Sequence, residues 1–166
     1  MNAQVAEVAA LIESTLEERG LEWERTGEAR YAVTLPGTRK LRTTCHLIVE
    51  QHALRIEAFV MRRPEENAER LWAWLLRRNA QMYAVSFAID TVGDVYLIGR
   101  VALHSVTADE LDRLLGSVLT YADESFDTML EIGFGSAIRR EWEWRVARGE
   151  PLDNLKGFSH LIERGA

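Results

Sequence analysis

One cysteine, three prolines and two lysines among 166 residues exclude several classes of protein before any pattern is read. The lone thiol, Cys45, cannot form an internal disulfide, which fits a reducing compartment. No stretch approaches the roughly 18 consecutive apolar residues of a spanning helix. The N-terminus lacks the basic start and continuous apolar core of a signal peptide, so the expected location is cytoplasmic. Cys-x-x-Cys and helical His pairs are missing, and with them the commonest metal spacings. At this length one domain buries roughly 70% of its unfolded surface and needs neither metals nor disulfides as staples.

The net charge of −6 is unevenly spread. Residues 1–38 carry seven acids against three arginines, and residues 83–131 carry nine acids against two arginines. Between them, Arg39, Lys40, Arg42, Arg55, Arg62 and Arg63 face only Glu50 and Glu57. The acidic total argues against general nucleic-acid binding, while the basic middle leaves room for a local anionic partner.

Periodicity predicts a helix from about Ala3 to Arg19, stopped by Gly20, and a hairpin over residues 21–35. A second hairpin pairs Leu41–Val49 with Leu54–Val60. Pro64 fits the first turn of a second helix, whose inward stripe is Ala68, Leu71, Trp72, Leu75 and Leu76. Tyr83–Ile89 and Val95–Leu103 alternate as a third hairpin. Thr107 and Glu110 then form a capping box before a long amphipathic helix. Gly133 and Gly135 mark a break before a further helix, in which Ile138, Trp142 and Val146 share a face, and a short docking tail. This order implies an α+β fold: an antiparallel sheet of three hairpins with helices packed on one face.

Several strings resemble YbjN-domain proteins. These are Met61-Arg-Arg-Pro-Glu-Glu-Asn67, the helix end Leu75-Leu-Arg-Arg-Asn79, and the hairpin Phe87 to Leu103. The run Ile138-Arg-Arg-Glu-Trp-Glu-Trp-Arg145 is similar to the C-terminal extension of the actinobacterial branch. The resemblance implies a YbjN-like domain over 1–131 and a helical extension over 132–166. It also implies a fold like that of type III secretion chaperones, which dimerise and hold unfolded segments of partners. Family members also carry the label of sensory-transduction regulator. The Trp-rich tail departs from the minimal chaperone-like domain.

No catalytic constellation emerges, and no cofactor or metal is expected. Cys45 and His46 point to opposite faces of a strand, so the histidine cannot activate the thiol. His46, His52, His104 and Glu57 are scattered. Asp123, Asp127 and Glu131 recur every four residues, as a solvated helix face does. Gly133-Phe-Gly135-Ser136 lacks the lysine and spacing of a phosphate loop. Two sets remain. Arg39, Arg42, Arg55 and Arg62 are anion-site candidates, with helix two as the element that would respond. Phe59, Met61, Trp74 and Trp144 are candidates for an exposed surface, covered either within the chain or by a partner. The expected function is a non-enzymatic, homodimeric protein-interaction module that captures a segment at a sheet edge or an inter-helix groove. The alternative is a small-anion sensor.

Overall fold

Six segments with alternating apolar residues form one antiparallel sheet in the computed structural model, which describes residues 1–163. The last three residues of the expected extension lie outside the described residues. The strands are β1 (Glu22–Gly27), β2 (Arg30–Pro36), β3 (Arg42–Val49), β4 (Ala53–Met61), β5 (Val85–Ile89) and β6 (Val95–Ala102), in spatial order β1-β2-β3-β4-β6-β5. The third hairpin therefore joins through its return strand, with Ala58 opposite Leu97, and β5 becomes an edge. Tyr31, Val33, Cys45, Leu47, Leu54, Ile56 and Leu97 are buried on the face that the helices cover. On the other face the expected polar residues stay in contact with solvent, including Arg30, His46 and Arg100. The three-hairpin α+β reading holds.

Helix α1 (Ala3–Glu18) buries Val5, Val8, Ile12 and Leu16; the Asn2 side chain accepts from the Val5 N–H at its start. Gly20, at φ +64°, supplies the left-handed residue that ends it. Helix α3 begins at Ala108, and Thr107 Oγ1 accepts from the Glu110 N–H at 3.0 Å, the hydroxyl half of the expected capping box; the Glu110 carboxylate accepts from the Tyr83 hydroxyl and Arg113 instead. Leu111, Leu114, Leu115, Val118, Ala122 and Met129 form its buried stripe.

Three local expectations are corrected. Helix α2 (Ala68–Asn79) starts four residues after Pro64, which lies buried in the preceding loop. Leu76 is 69% exposed, because α2 buries a stripe of only Leu71 and Leu75. A neighbouring position is rotated about 100° away from that stripe. Finally, α3 continues through the glycines to Arg148 and bends at Phe134, whose φ/ψ of −139°/15° is non-helical. The predicted break is a kink. Beyond it Val146 is exposed and does not share a buried face with Ile138.

The loop before α2 holds that kink in place. A bend in a helix frees backbone groups, which must find partners elsewhere. Here the loop 64–67 supplies them. Glu65 and Glu66 N–H groups donate to the Gly133 carbonyl at 2.9 and 3.1 Å, and Asn67 Nδ2 donates to the Ile132 carbonyl at 3.0 Å. The Glu66 carboxylate accepts from the N–H and hydroxyl of Ser136 at 2.7 and 2.8 Å. Gly133 is required by proximity, since a Cβ there would stand 2.8 Å from Pro64 Cβ. Past Arg148 the chain turns back through a 3-10 segment (Asp153–Phe158) into α4 (Ser159–Glu163). Phe158 and Leu161 are buried, and His160 pairs with Glu131 on α3.

Candidate interaction surfaces

The anion-site candidates do not converge. Arg39 pairs with Asp127 at 2.8 Å and Arg62 with Glu65 at 3.0 Å. Arg55 lies between Glu50 and Glu57 at 2.7 and 3.2 Å. Arg42 is exposed and has no acidic partner among the described residues. Three of the four thus have an acidic neighbour in the fold, Asp127 alone coming from distant sequence.

The acidic series on α3 is no solvated face. Asp123 Oδ1 accepts from the backbone N–H groups of Thr38, Arg39 and Lys40 at 2.8–2.9 Å, and its Oδ2 accepts from the Thr38 hydroxyl at 2.8 Å. Burial alone would raise its pKa; the donated hydrogen bonds outweigh that and hold it below the usual carboxylate value. The three acids therefore fasten, in turn, the β2–β3 loop, Arg39 and the tail histidine. No amphipathic pattern could reveal these partners, which are more than 80 residues away for Asp123.

Cys45 is fully buried between β2 and β4, and burial pushes its thiol up to about 12. His46 is exposed on the opposite face. The thiol is inert as a nucleophile. Among the described residues no three histidine, cysteine or acidic side chains converge as a metal-binding group.

The aromatic and apolar candidates separate. Met61 is 3% exposed and belongs to the core, because a bulge between Phe59 and Met61 turns its side chain inward. Phe59 stays exposed, edge-on to Tyr96 at 5.6 Å. Trp74 is half-buried against the core with the Arg78 guanidinium over its ring at 5.0 Å. Trp144 is 50% exposed beyond the kink, under Arg148 at 4.6 Å.

Leu76, which the periodicity predicts to face inward, and Ile89 together define the clearest apolar surface. A groove between α2 and the edge strand β5 is lined by Trp72, Leu75, Leu76, Phe87, Ala88 and Ile89. Leu76 and Ile89, which is 48% exposed, stand open to solvent beside it. Asn79 closes the adjacent edge: its amide accepts from the Phe87 N–H at 2.7 Å and donates to the Phe87 carbonyl at 3.0 Å. Those are the groups an added strand would use at the middle of β5. Periodicity places Leu76 within the inward stripe of α2 and Ile89 within the alternation of its strand, so the sequence marks neither as surface. Neither carries a motif.

With this geometry in place, the relatives are informative. An uncharacterized protein of Mycobacterium tuberculosis (strain H37Rv) is 47% identical over 166 residues, covering 97% of this chain and 91% of that protein. An uncharacterized protein of Mycobacterium leprae is 49% identical over 137 residues, covering 82% and 74%. Among solved structures, the Yersinia pestis type III secretion chaperone SycH, in complex with a fragment of YscM2, superposes with TM-score 0.53 at 19% identity, over 69% of this chain and 96% of that one. The ExsC–ExsE complex gives 0.55 at 19% identity, over 78% and 97%. At such identities the likeness shows the fold, that of type III secretion chaperones. Residues 9–131 match the YbjN family, described as "Putative bacterial sensory transduction regulator", and the chain belongs to that family.

Proposed function

We propose that this protein is a non-enzymatic, chaperone-like module that binds an apolar segment of a protein partner in the α2–β5 groove. The observation that carries this reading is the exposure of Leu76 and Ile89 at that groove, whereas the carboxylates of Glu66 and Asp123 are engaged within the fold. Asn79 fills the middle of the β5 edge, so the partner packs side chains into the groove instead of adding a strand there. Similar folds solved with protein partners bound support a partner-binding role. The buried, unpaired Cys45 agrees with a cytoplasmic setting.

Self-association belongs to the same reading. Trp144 and the groove residues leave more apolar surface open than isolated residues would, and a two-fold homodimer would cover part of it over at least roughly 1,000 Å². Residues 1–131 form the family core in this view, and the following residues form an arm fastened at the kink. The test is a photo-crosslinking residue placed at Leu76, with one at exposed Thr44 on the opposite sheet face as control. One recurrent protein adduct at position 76, lost in the Ile89→Glu variant, supports the reading. Equal adducts at both positions, or none, overturn it. Sedimentation velocity across protein concentrations decides the dimer.

A further inference from the structure

A second concavity differs from the groove in its charge. It lies between the end of β4 and α3, holds about 290 Å³, and is walled by Met61, Phe126, Leu130 and Phe134 with Phe59 at its lip. Two cations stand at its rim. Lys40 Nζ sits 5.0 Å from the centre of the Phe126 ring, and the Arg62 guanidinium 4.3 Å from that of Phe134.

Lys40 is the unusual one. It is half-buried, and no acid pairs with it among the described residues. Burial lowers its pKa with no carboxylate to offset the cost, which describes an ammonium short of a counter-charge. Its backbone is nonetheless fixed, because its N–H donates to Asp123 at 2.9 Å. The side-chain partner of Arg62 is Glu65, an exposed neighbour three residues on, and such surface pairs are worth little. Phe134 is held as firmly, being the kink residue beside the Gly133 and Ser136 clamps. An apolar hollow on fixed supports, with one uncompensated cation and one weakly engaged one, complements an apolar body carrying a single negative charge.

We infer that this concavity binds a small amphipathic carboxylate, its aromatic or short acyl body against Phe126 and Phe134 and its carboxylate between Lys40 and Arg62. Binding would draw Arg62 away from Glu65, and Glu65 belongs to the loop that clamps the α3 kink. The site is independent of the groove and of the partner-binding reading.

Isothermal titration of the full chain with phenylacetate and octanoate tests it, with 2-phenylethanol and 1-octanol as uncharged counterparts. The expected result is saturable binding of one carboxylate per chain, at least about tenfold tighter than that of the matching alcohol. Lys40→Met should weaken binding about tenfold or more, Arg62→Met should weaken it as well, and Arg42→Met should leave it unchanged. No saturable binding of either acid up to about 10 mM would overturn the inference. So would equal affinities for acid and alcohol, or affinity that falls as protein concentration rises, which would make the hollow a contact between copies. Should Lys40→Met fail to fold by circular dichroism, the acid–alcohol comparison and Arg62→Met still decide the matter.

Discussion

The joint at the α3 kink and the groove beside α2 lie at opposite ends of one short helix, and they differ in what they leave unsatisfied. At the joint, polar groups from residues 65–67 meet those of residues 132–136, and the charges and backbone groups there answer one another. In the groove the polar work is equally complete, since Asn79 seals β5, but Leu76 and Ile89 remain in water. The difference teaches where to look for function in a chain without a catalytic motif. Polar residues that look like chemistry in the sequence are here the fasteners of the fold. Leu76 and Ile89, which look like core in the sequence, are surface.

The largest effect expected from this contrast compares two leucines on helical stripes. Leu115→Ala should destabilise the protein by roughly 2–5 kcal/mol, because a 4% exposed side chain leaves a cavity when truncated. Leu76→Ala should change stability by no more than about 0.5 kcal/mol. Urea denaturation of both variants checks the pair. A large loss for Leu76→Ala would mean that a second copy already covers the groove.

Next comes the joint. Gly133→Ala places a methyl group 2.8 Å from Pro64 Cβ, and since that neighbour is a ring in a clamped loop, overpacking should cost about 1–3 kcal/mol. Thermal unfolding measures it. An unperturbed variant would show that the loop and the kink are not rigidly joined.

These two sites also show how far the sequence could be read. Period two and period 3.6 were enough for all six strands, for α1 and for the cap at Thr107, because those signals lie within a few residues of one another. The strand order was harder: local alternation does not say which strand of the third hairpin meets β4. The clamps were illegible for the same reason. Glu66 and Ser136 are 70 residues apart, and nothing near either one announces the other. The strings that carried the family resemblance, Met61–Asn67 and Leu75–Asn79, contain Glu66, Asn67 and Asn79. Their side chains hold the kink and the sheet edge, so at these residues the resemblance marks architecture. Spacing along the chain reports basic density but not the acids that folding brings beside Arg39, Arg55 and Arg62.

A smaller effect separates the joint from the groove by pH. The Ser136 N–H and hydroxyl, with help from Arg139 and Arg140, hold the Glu66 carboxyl below its ordinary value. A depressed folded-state pKa gives stability that is present above the unfolded value, near 4.3, and is lost as pH falls through the folded one. The difference in urea midpoint between the native protein and Glu66→Gln should therefore be widest near neutrality and shrink below about pH 4. A difference that persists unchanged at low pH would assign the contribution of Glu66 to shape and not to charge.

The smallest effect on stability is the most telling for function. Ile89→Glu puts a charge on an exposed position at the end of β5, where the side chain is half in water and packs little against the core. Surface changes of this kind usually stay within about 0.5 kcal/mol, so the fold and its unfolding midpoint should be retained. The same change places a carboxylate beside Leu76, Trp72 and Phe87, where a bound apolar segment would have to desolvate it. The charge would thus be nearly silent in the free protein and costly in any assembly that uses the groove. Sedimentation velocity and unfolding measured on one preparation read both quantities together. Normal unfolding with lost self-association would place the dimer contact on this groove. Normal unfolding with unchanged self-association would move the contact elsewhere, Trp144 first, and leave the groove for a different protein.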